Sequence, residues 1–157
     1  MFPYFNSLQM FAHHEQIPYE NMHAVSVTGR PWHELDRALL ECRPLIGVLT
    51  DHVHTPRAIA KRMMEYHLDK DYTMRVAEHL GNPKKEKIYN IYSIEEISEM
   101  SFSYPNCVLL MKAPNSTQQR PTLGIPDTKF VLLNDRAKMI TKAPIRVIDL
   151  SLLELHN

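Results

Sequence analysis

The segment from Leu45 to Glu86 constrains what this chain can fold into more than any other. It reads LIGVLTD, then HTPRAIAKRMMEYHLDKDY, then TMRVAEHLGNPKKE. Leu45 to Leu49 is a short unbroken apolar run, the pattern of a strand buried on both faces. It ends in the polar pair Thr50-Asp51. Thr55 then supplies a helix N-cap, Pro56 fits the first helical turn, and Ile59, Ala60, Met63 and Met64 form the inward stripe. Met74 to Ala77 reads as a second strand, followed by a tight turn at Gly81-Asn82-Pro83. Strand, crossover helix and strand in that order specify an α/β sheet. Both strands carry polar residues at their carboxyl ends, where open α/β sheets place their ligands. The unit points to a small-molecule site, for a nucleoside-like group.

The flanking segments extend the same architecture. Ser7 is expected to cap a first helix carrying Leu8, Phe11, Ala12 and Glu15, with Pro18 ending it. Ala24 to Val27 reads as a short strand. Gly29-Arg30-Pro31 turns into a helix with Trp32, Leu35, Leu39 and Cys42 along one face. Ile88 to Ile91 and Cys107 to Met111 read as further strands, and Ser93 to Glu96 as a capping box opening a short helix. From Lys112 to Lys129 the chain turns polar and rich in Pro, Ser, Thr and Gln, which reads as a loop or linker. Phe130 to Leu133 is an expected edge strand. The domain expectation is therefore an α/β domain over residues 1–112 and a loop, edge strand and tail over 113–157.

Composition removes several classes of function. Lys+Arg and Asp+Glu balance at 18 each, so no net field draws nucleic acid or an anionic membrane. The Lys84-Lys85-Glu86-Lys87 cluster mixes signs beside a turn and reads as a solvated rim. No apolar run approaches the ~18 residues that span a bilayer, and the amino terminus lacks the basic-then-apolar order of a secretory signal. Two separated cysteines in apolar settings, Cys42 and Cys107, fit buried thiols in a reducing compartment. Cytoplasmic residence is the expectation that follows. With four glycines, the chain holds neither a GxxxxGK[ST] phosphate loop nor a GxGxxG fingerprint.

Metal and covalent chemistry find little footing. His52 and His54 are two apart and His13 and His14 adjoin, spacings that do not put two ligands on one helical face, and no carboxylate or thiol completes a tetrahedral set. Neither cysteine opens a helix beside a cation, and no GxSxG elbow occurs. No metal is expected. The stronger candidates are the residues at strand ends: Asn6 and Ser7 ahead of the first helix, Thr50 and Asp51 after the second strand, and Leu80 and Gly81 after the third. Exposed backbone groups there can read an adenine edge or a carboxylate, and Gly81 permits close backbone approach. Helix capping by Asp51 and Ser7, and a plain turn at Gly81, account for the same residues equally well.

Longer stretches resemble a known family. NSLQMFAHHEQIPYENMHAVSVTGRP resembles a segment reading roughly Ser-Ser-x-Gln-x-Ala … Pro-Trp-x-Asp … Val-Ser-Leu-His-Gly-Arg-Pro. VLTDHVHTPRAIAKRM is similar to Val-Leu-Thr-Asp … Ser-Pro-x-x-Ile-Ala, and VAEHLGNPKKEKI to Val-x-Glu-x-Leu-Gly-x-Pro-x-Glu-Arg-Ile. GIPDTKF followed by MITKAPIR resembles Gly-Ile-Pro-Asp … Phe … Met-Ile-Thr-Lys-x-Glu-Val-Arg. These belong to the tetrapyrrole methylase family, in its precorrin-6Y C5,15-methyltransferase (decarboxylating) branch, and the likeness runs from Asn6 to Leu155. Thr28 stands at the family's His-Gly-Arg histidine, Asn6 at its first serine, and Ala143-Pro144-Ile145-Arg146 at its final Glu-Val-Arg.

The resemblance implies an α/β three-layer sandwich around a mixed sheet, the C-terminal domain of that fold. It implies S-adenosyl-L-methionine as cofactor and C-methylation of a precorrin in cobalamin (corrin ring) biosynthesis. The family's Gly-rich amino-terminal domain is not in this sequence, so Asn6, Ser7, Thr50, Asp51, Leu80 and Gly81 would form one half of a cleft, and the fragment alone would be inactive. In fused members the tail leads to a second, Rossmann-like domain that methylates C15 and decarboxylates. Further implied partners are the tetrapyrrole substrate, the amino-terminal domain and a second copy in a homodimer. No catalytic residue is assigned; Asp51 is a candidate base only through its place at a strand end. Another tetrapyrrole methylase and a non-catalytic dimerisation or binding module stay open beside this reading.

Overall fold

The computed structural model describes residues 5–90, 93–114 and 141–153. Five strands form one sheet: β1 (His23–Ser26), β2 (Leu45–Leu49), β3 (Tyr72–Glu78), β4 (Lys87–Tyr89) and β5 (Asn106–Lys112), in the order β1-β2-β5-β3-β4. β1 and β2 pair in parallel, whereas β5 runs antiparallel to both β2 and β3, and β4 antiparallel to β3. β1, β2 and β3 thus point one way. The crossover from β2 to β3 skips one position, which the later strand β5 fills. The sheet is mixed, as expected.

Alternation in the strands divides the core in two. One face, with Ile46, Val48, Met74, Val76, Val108 and Leu110, packs against α2 (His33–Leu40), α3 (Pro56–Glu65) and α4 (Ile94–Glu99). The opposite face, with Ala77, Cys107 and Leu109, packs against Leu8 and Phe11 of α1 (Ser7–His14). Helices therefore cover both faces of the sheet in three layers. Gly47 makes the α1 side possible: a Cβ there would meet the Met22 sulfur at 2.4 Å and Leu8 methyls at 3.1 and 3.2 Å. Bidentate Arg62 of α3 reaches Asp36 of α2 at 2.6 and 2.6 Å, and its guanidinium lies 5.0 Å from the Trp32 ring centroid. That contact ties together the two helices whose amino-terminal loops flank the strand ends.

Helix boundaries depart from the sequence reading in four places. Asn6, not Ser7, caps α1. Its backbone is extended while Ser7 is helical, and only Asn6 has Gln9 three residues on to close a capping box. Trp32 is the N-cap residue of α2, which ends at Leu40, leaving Cys42 beyond it in the left-handed region at φ 54°. Ser93 is the N-cap of α4 but makes no capping bond; its hydroxyl donates to the Glu95 carboxylate at 2.5 Å. The tail carries α5 (Ala143–Leu152), with Pro144 in its first turn. No stop or cap signal announced that helix. The expected edge strand Phe130 to Leu133, most of the polar loop and the GIPD segment lie outside the described residues.

By internal contacts the chain divides into two compact units, residues 1–116 and 117–157. Among the described residues no helix is long and apolar enough to cross a membrane.

Candidate functional site

Because β5 is antiparallel to its two neighbours, its first residue lies at the same sheet edge as the last residues of β2 and β3. Asn106 therefore stands between Thr50, which follows β2, and the turn after β3. The Thr50 hydroxyl lies 2.5 Å from the Asn106 main-chain oxygen and 2.6 Å from its side-chain oxygen Oδ1. Thr50 is buried at 4% exposure, whereas Asn106 is half-buried. The Asn106 Nδ2 group donates to the Ser103 carbonyl at 3.0 Å, which fixes the direction of the amide. A depression of about 50 Å³ opens beside it, walled by Ser7, Ala77, Leu80, Pro105, Asn106 and Cys107.

The structure brings three of the six expected residues to this point: Ser7 and Leu80 line the depression and Thr50 bonds its floor residue. Gly81 follows directly, at φ 82°, a region that favours glycine. Its N–H donates to the Glu86 carboxylate at 2.6 Å, and a Cβ there would lie 3.0 Å from the Met10 methyl. Gly81 thus serves the turn and the approach of α1.

Asn6 and Asp51 turn their side chains to other work. Asn6 Oδ1 accepts from the Gln9 N–H at 2.8 Å, and its Nδ2 donates to the Tyr19 hydroxyl at 3.4 Å. Asp51 ties two loops together: it accepts from the N–H groups of Gly29 and Val53, each at 2.8 Å, and of His54 at 2.5 Å. The His54 Nδ1 lies 3.0 Å from its Oδ2. These bonds, first the one from Gly29, hold the Asp51 carboxyl well below the ordinary carboxylate range. A group stabilised as the anion and surrounded by donors is a poor proton acceptor, so the geometry makes Asp51 a clamp rather than the base suggested by its position.

Two contributors escaped the sequence reading. Thr28 donates its hydroxyl to the Thr50 carbonyl at 3.1 Å, joining the β1 end to the β2 end. Asn106 is the other. A polar residue opening an apolar strand was its only signal, and the strand order that gives it meaning is not encoded locally.

A larger cavity of about 480 Å³ lies along α1 beside Phe5, Met10, His13, Ile17 and Tyr19, and none of the six expected residues lines it. Among the described residues no three His, Cys, Asp or Glu side chains are grouped to hold a metal ion. Cys107 is buried on the sheet, and burial pushes its thiol up to about 12.

No protein-family model matches the chain. No curated protein matches it. Among solved structures, it is similar to the uroporphyrin-III C-methyltransferase of Thermus thermophilus, with 24% identity over 57% of this chain and 39% of that one, TM-score 0.44; that protein was also solved in complex with S-adenosylhomocysteine. It is similar to a diphthine synthase, with 14% identity over 68% and 45% of the two chains, TM-score 0.49. The precorrin-6Y methylase of Archaeoglobus fulgidus gives 13% identity over 68% and 45%, TM-score 0.43. The chain spans less than half the length of each of these structures.

Proposed function

We propose that this chain forms one wall of an S-adenosylmethionine cleft in an enzyme that methylates a carbon of a precorrin-type tetrapyrrole. The observation that carries the reading is the convergence of Thr50, Ser7 and Leu80 around Asn106 at the carboxyl edge of the parallel strands. Ligands of open α/β sheets bind at such an edge. The motif order from Asn6 to Leu155 supports the choice of cofactor and substrate, because the strand-end motifs of the resemblance are the segments found at this edge.

When bound, the sulfonium supplies a methyl group to an electron-rich carbon in an in-line displacement. The chain's part is positioning and exclusion of water. Thr50, Thr28 and Asp51 hold the β1 and β2 ends in register with each other, and Gly81 with Glu86 fixes the turn after β3. Leu80, Ala77 and Pro105 give the depression an apolar wall. The amino-terminal domain, the C15-methylating domain and a homodimeric partner belong to the same proposal.

Calorimetry with S-adenosylhomocysteine tests it. The chain alone is expected to bind weakly, in the millimolar range, and tightly once a Gly-rich amino-terminal domain of the family is supplied. Absence of binding in both states would replace this reading with that of an interaction module.

A further inference from the structure

Two aromatic rings stand exposed at the sheet edge that carries the candidate site. His52 follows the Thr50-Asp51 end of β2, and Tyr104 precedes Pro105 and Asn106 at the start of β5. Their ring centroids lie 4.1 Å apart, with the planes tilted by 40°. The stack joins the β2–α3 loop to the α4–β5 loop beside the depression, whose wall includes Pro105 and Asn106. Tyr104 is nonetheless 44% exposed, and Val53, next to His52, is 75% exposed. Contiguous apolar surface left in water and rimmed by polar groups marks a binding face.

The strand order β1-β2-β5-β3 sets cations on either side of this pair. Arg30, in the turn after β1, meets Glu34 only at 4.0 Å, with side-chain exposures of 61% and 62%. Lys84 and Lys85 stand exposed on the turn after β3. Two acids of the same edge are engaged elsewhere. Asp51 accepts from Gly29, Val53 and His54, and Glu86 accepts from Gly81 and lies 3.3 Å from His14. From the end of β1 to the end of β3 is three strand spacings, or about 14 Å. Cation, ring, ring and cations thus follow one another over a width that suits a flat macrocycle with carboxylate arms and exceeds a single heterocycle.

We infer that His52 and Tyr104 form a stacking platform for the macrocycle of the methyl acceptor, with Arg30, Lys84 and Lys85 drawing its carboxylate arms. The platform holds the ring at the rim of the depression, and in-line transfer needs the accepting carbon within about 3–3.5 Å of the methyl. Because the two side chains already stack on each other, little rotamer freedom is lost when the macrocycle settles on them. The inference rests on the methyl-transfer reading above and adds to it the residues that hold the acceptor. Neither ring belongs to the six strand-end residues singled out from sequence.

Uroporphyrin, a polycarboxylate porphyrin, is the probe. Fluorescence titration of the 157-residue chain should give saturable binding. Tyr104→Ala and His52→Ala should each weaken it about tenfold, the loss expected when one stacking ring is removed. Tyr104→Phe, which keeps the ring, should stay within about twofold of the native chain. In proton NMR spectra the Tyr104 ring resonances should move upfield, as the ring current of a porphyrin stacked on them dictates. Citrate, which offers carboxylates without a ring, should not displace the porphyrin at equal concentration. Unchanged affinity in both alanine variants would overturn the inference, as would displacement by citrate. If Tyr104→Ala loses its dispersed spectrum, His52→Ala and the ring-current shift decide the matter. A parallel titration with S-adenosylhomocysteine separates the two readings. If that ligand binds and the porphyrin does not, the platform is refuted and the cofactor reading stands. If the porphyrin binds through the two rings and S-adenosylhomocysteine shifts no resonance, the platform stands and the cofactor reading is lost.

Discussion

Asp51 shows how one side chain can serve a site without touching a ligand. Its carboxylate gathers three backbone N–H groups from two loops, so the end of β1 and the start of the β2–α3 connection share one anchor. Asn at this position keeps one oxygen acceptor and turns an NH2 group toward donors. Asp51→Asn is therefore expected to lower stability by about 1–3 kcal/mol, read from urea unfolding at neutral pH. The pH dependence has a definite sign. The folded carboxyl titrates below its ordinary value of 3.8, so its contribution is complete above that value and is lost as pH falls through the folded pKa. The gap in unfolding midpoint between the native chain and Asp51→Asn should narrow on acidification below about pH 4; a gap that widens there would contradict the assignment. Cys107 gives a second residue-scale expectation. Its thiol is buried and pushed up to about 12, so a thiol reagent at neutral pH should label it only as fast as the chain unfolds.

At the scale of elements, local chemistry places helices and side-chain packing orients them. The Asn6–Gln9 capping box starts α1, and Asn6→Ala should cost about 1 kcal/mol and speed hydrogen exchange in the first turn. The box is readable as Asn-x-x-Gln, whereas Ser7 has Met10 three residues on, which cannot return a bond. Arg62 sets α3 against α2 through a fork on Asp36 and stacking on Trp32 and Tyr66. Lysine keeps the charge but neither the fork nor the flat face. Arg62→Lys is expected to lower stability by about 1–2 kcal/mol, measured by thermal or urea unfolding. A change below about 0.3 kcal/mol would show that the pair is idle, as exposed pairs often are.

At the scale of the whole molecule, the sheet depends on a strand that arrives last. β2 and β3 do not pair with each other; both pair with β5, whose seven residues follow them in sequence. A chain ending at Pro105 should show no cooperative unfolding transition by circular dichroism, since both strands lose their shared neighbour and Val108 and Leu110 leave the core. Within the complete chain Leu110→Ala should cost about 2–5 kcal/mol, because Leu110 is fully buried between sheet and helices. The same late strand completes the candidate site, since Asn106 is its first residue.

Much of this was legible in the chain itself. Apolar runs and alternation mark β1, β2, β3 and β5, and Thr55-Pro56 marks the start of α3, because strand burial and capping are read over a few consecutive residues. The strand-end position of Thr50, Leu80 and Gly81 followed from those runs. Capping competition at Asn6 and Ser7 was local too, but needed the right partner three residues on. Tertiary structure decided the rest. Only the strand order puts β5 between β2 and β3, so only it could bring Asn106 to Thr50, and only the pairing of β1 beside β2 brings the Gly29 N–H to Asp51. Those outcomes depend on pairings between residues tens of positions apart, and no local pattern of side chains records which distant strand will fill a gap in a sheet.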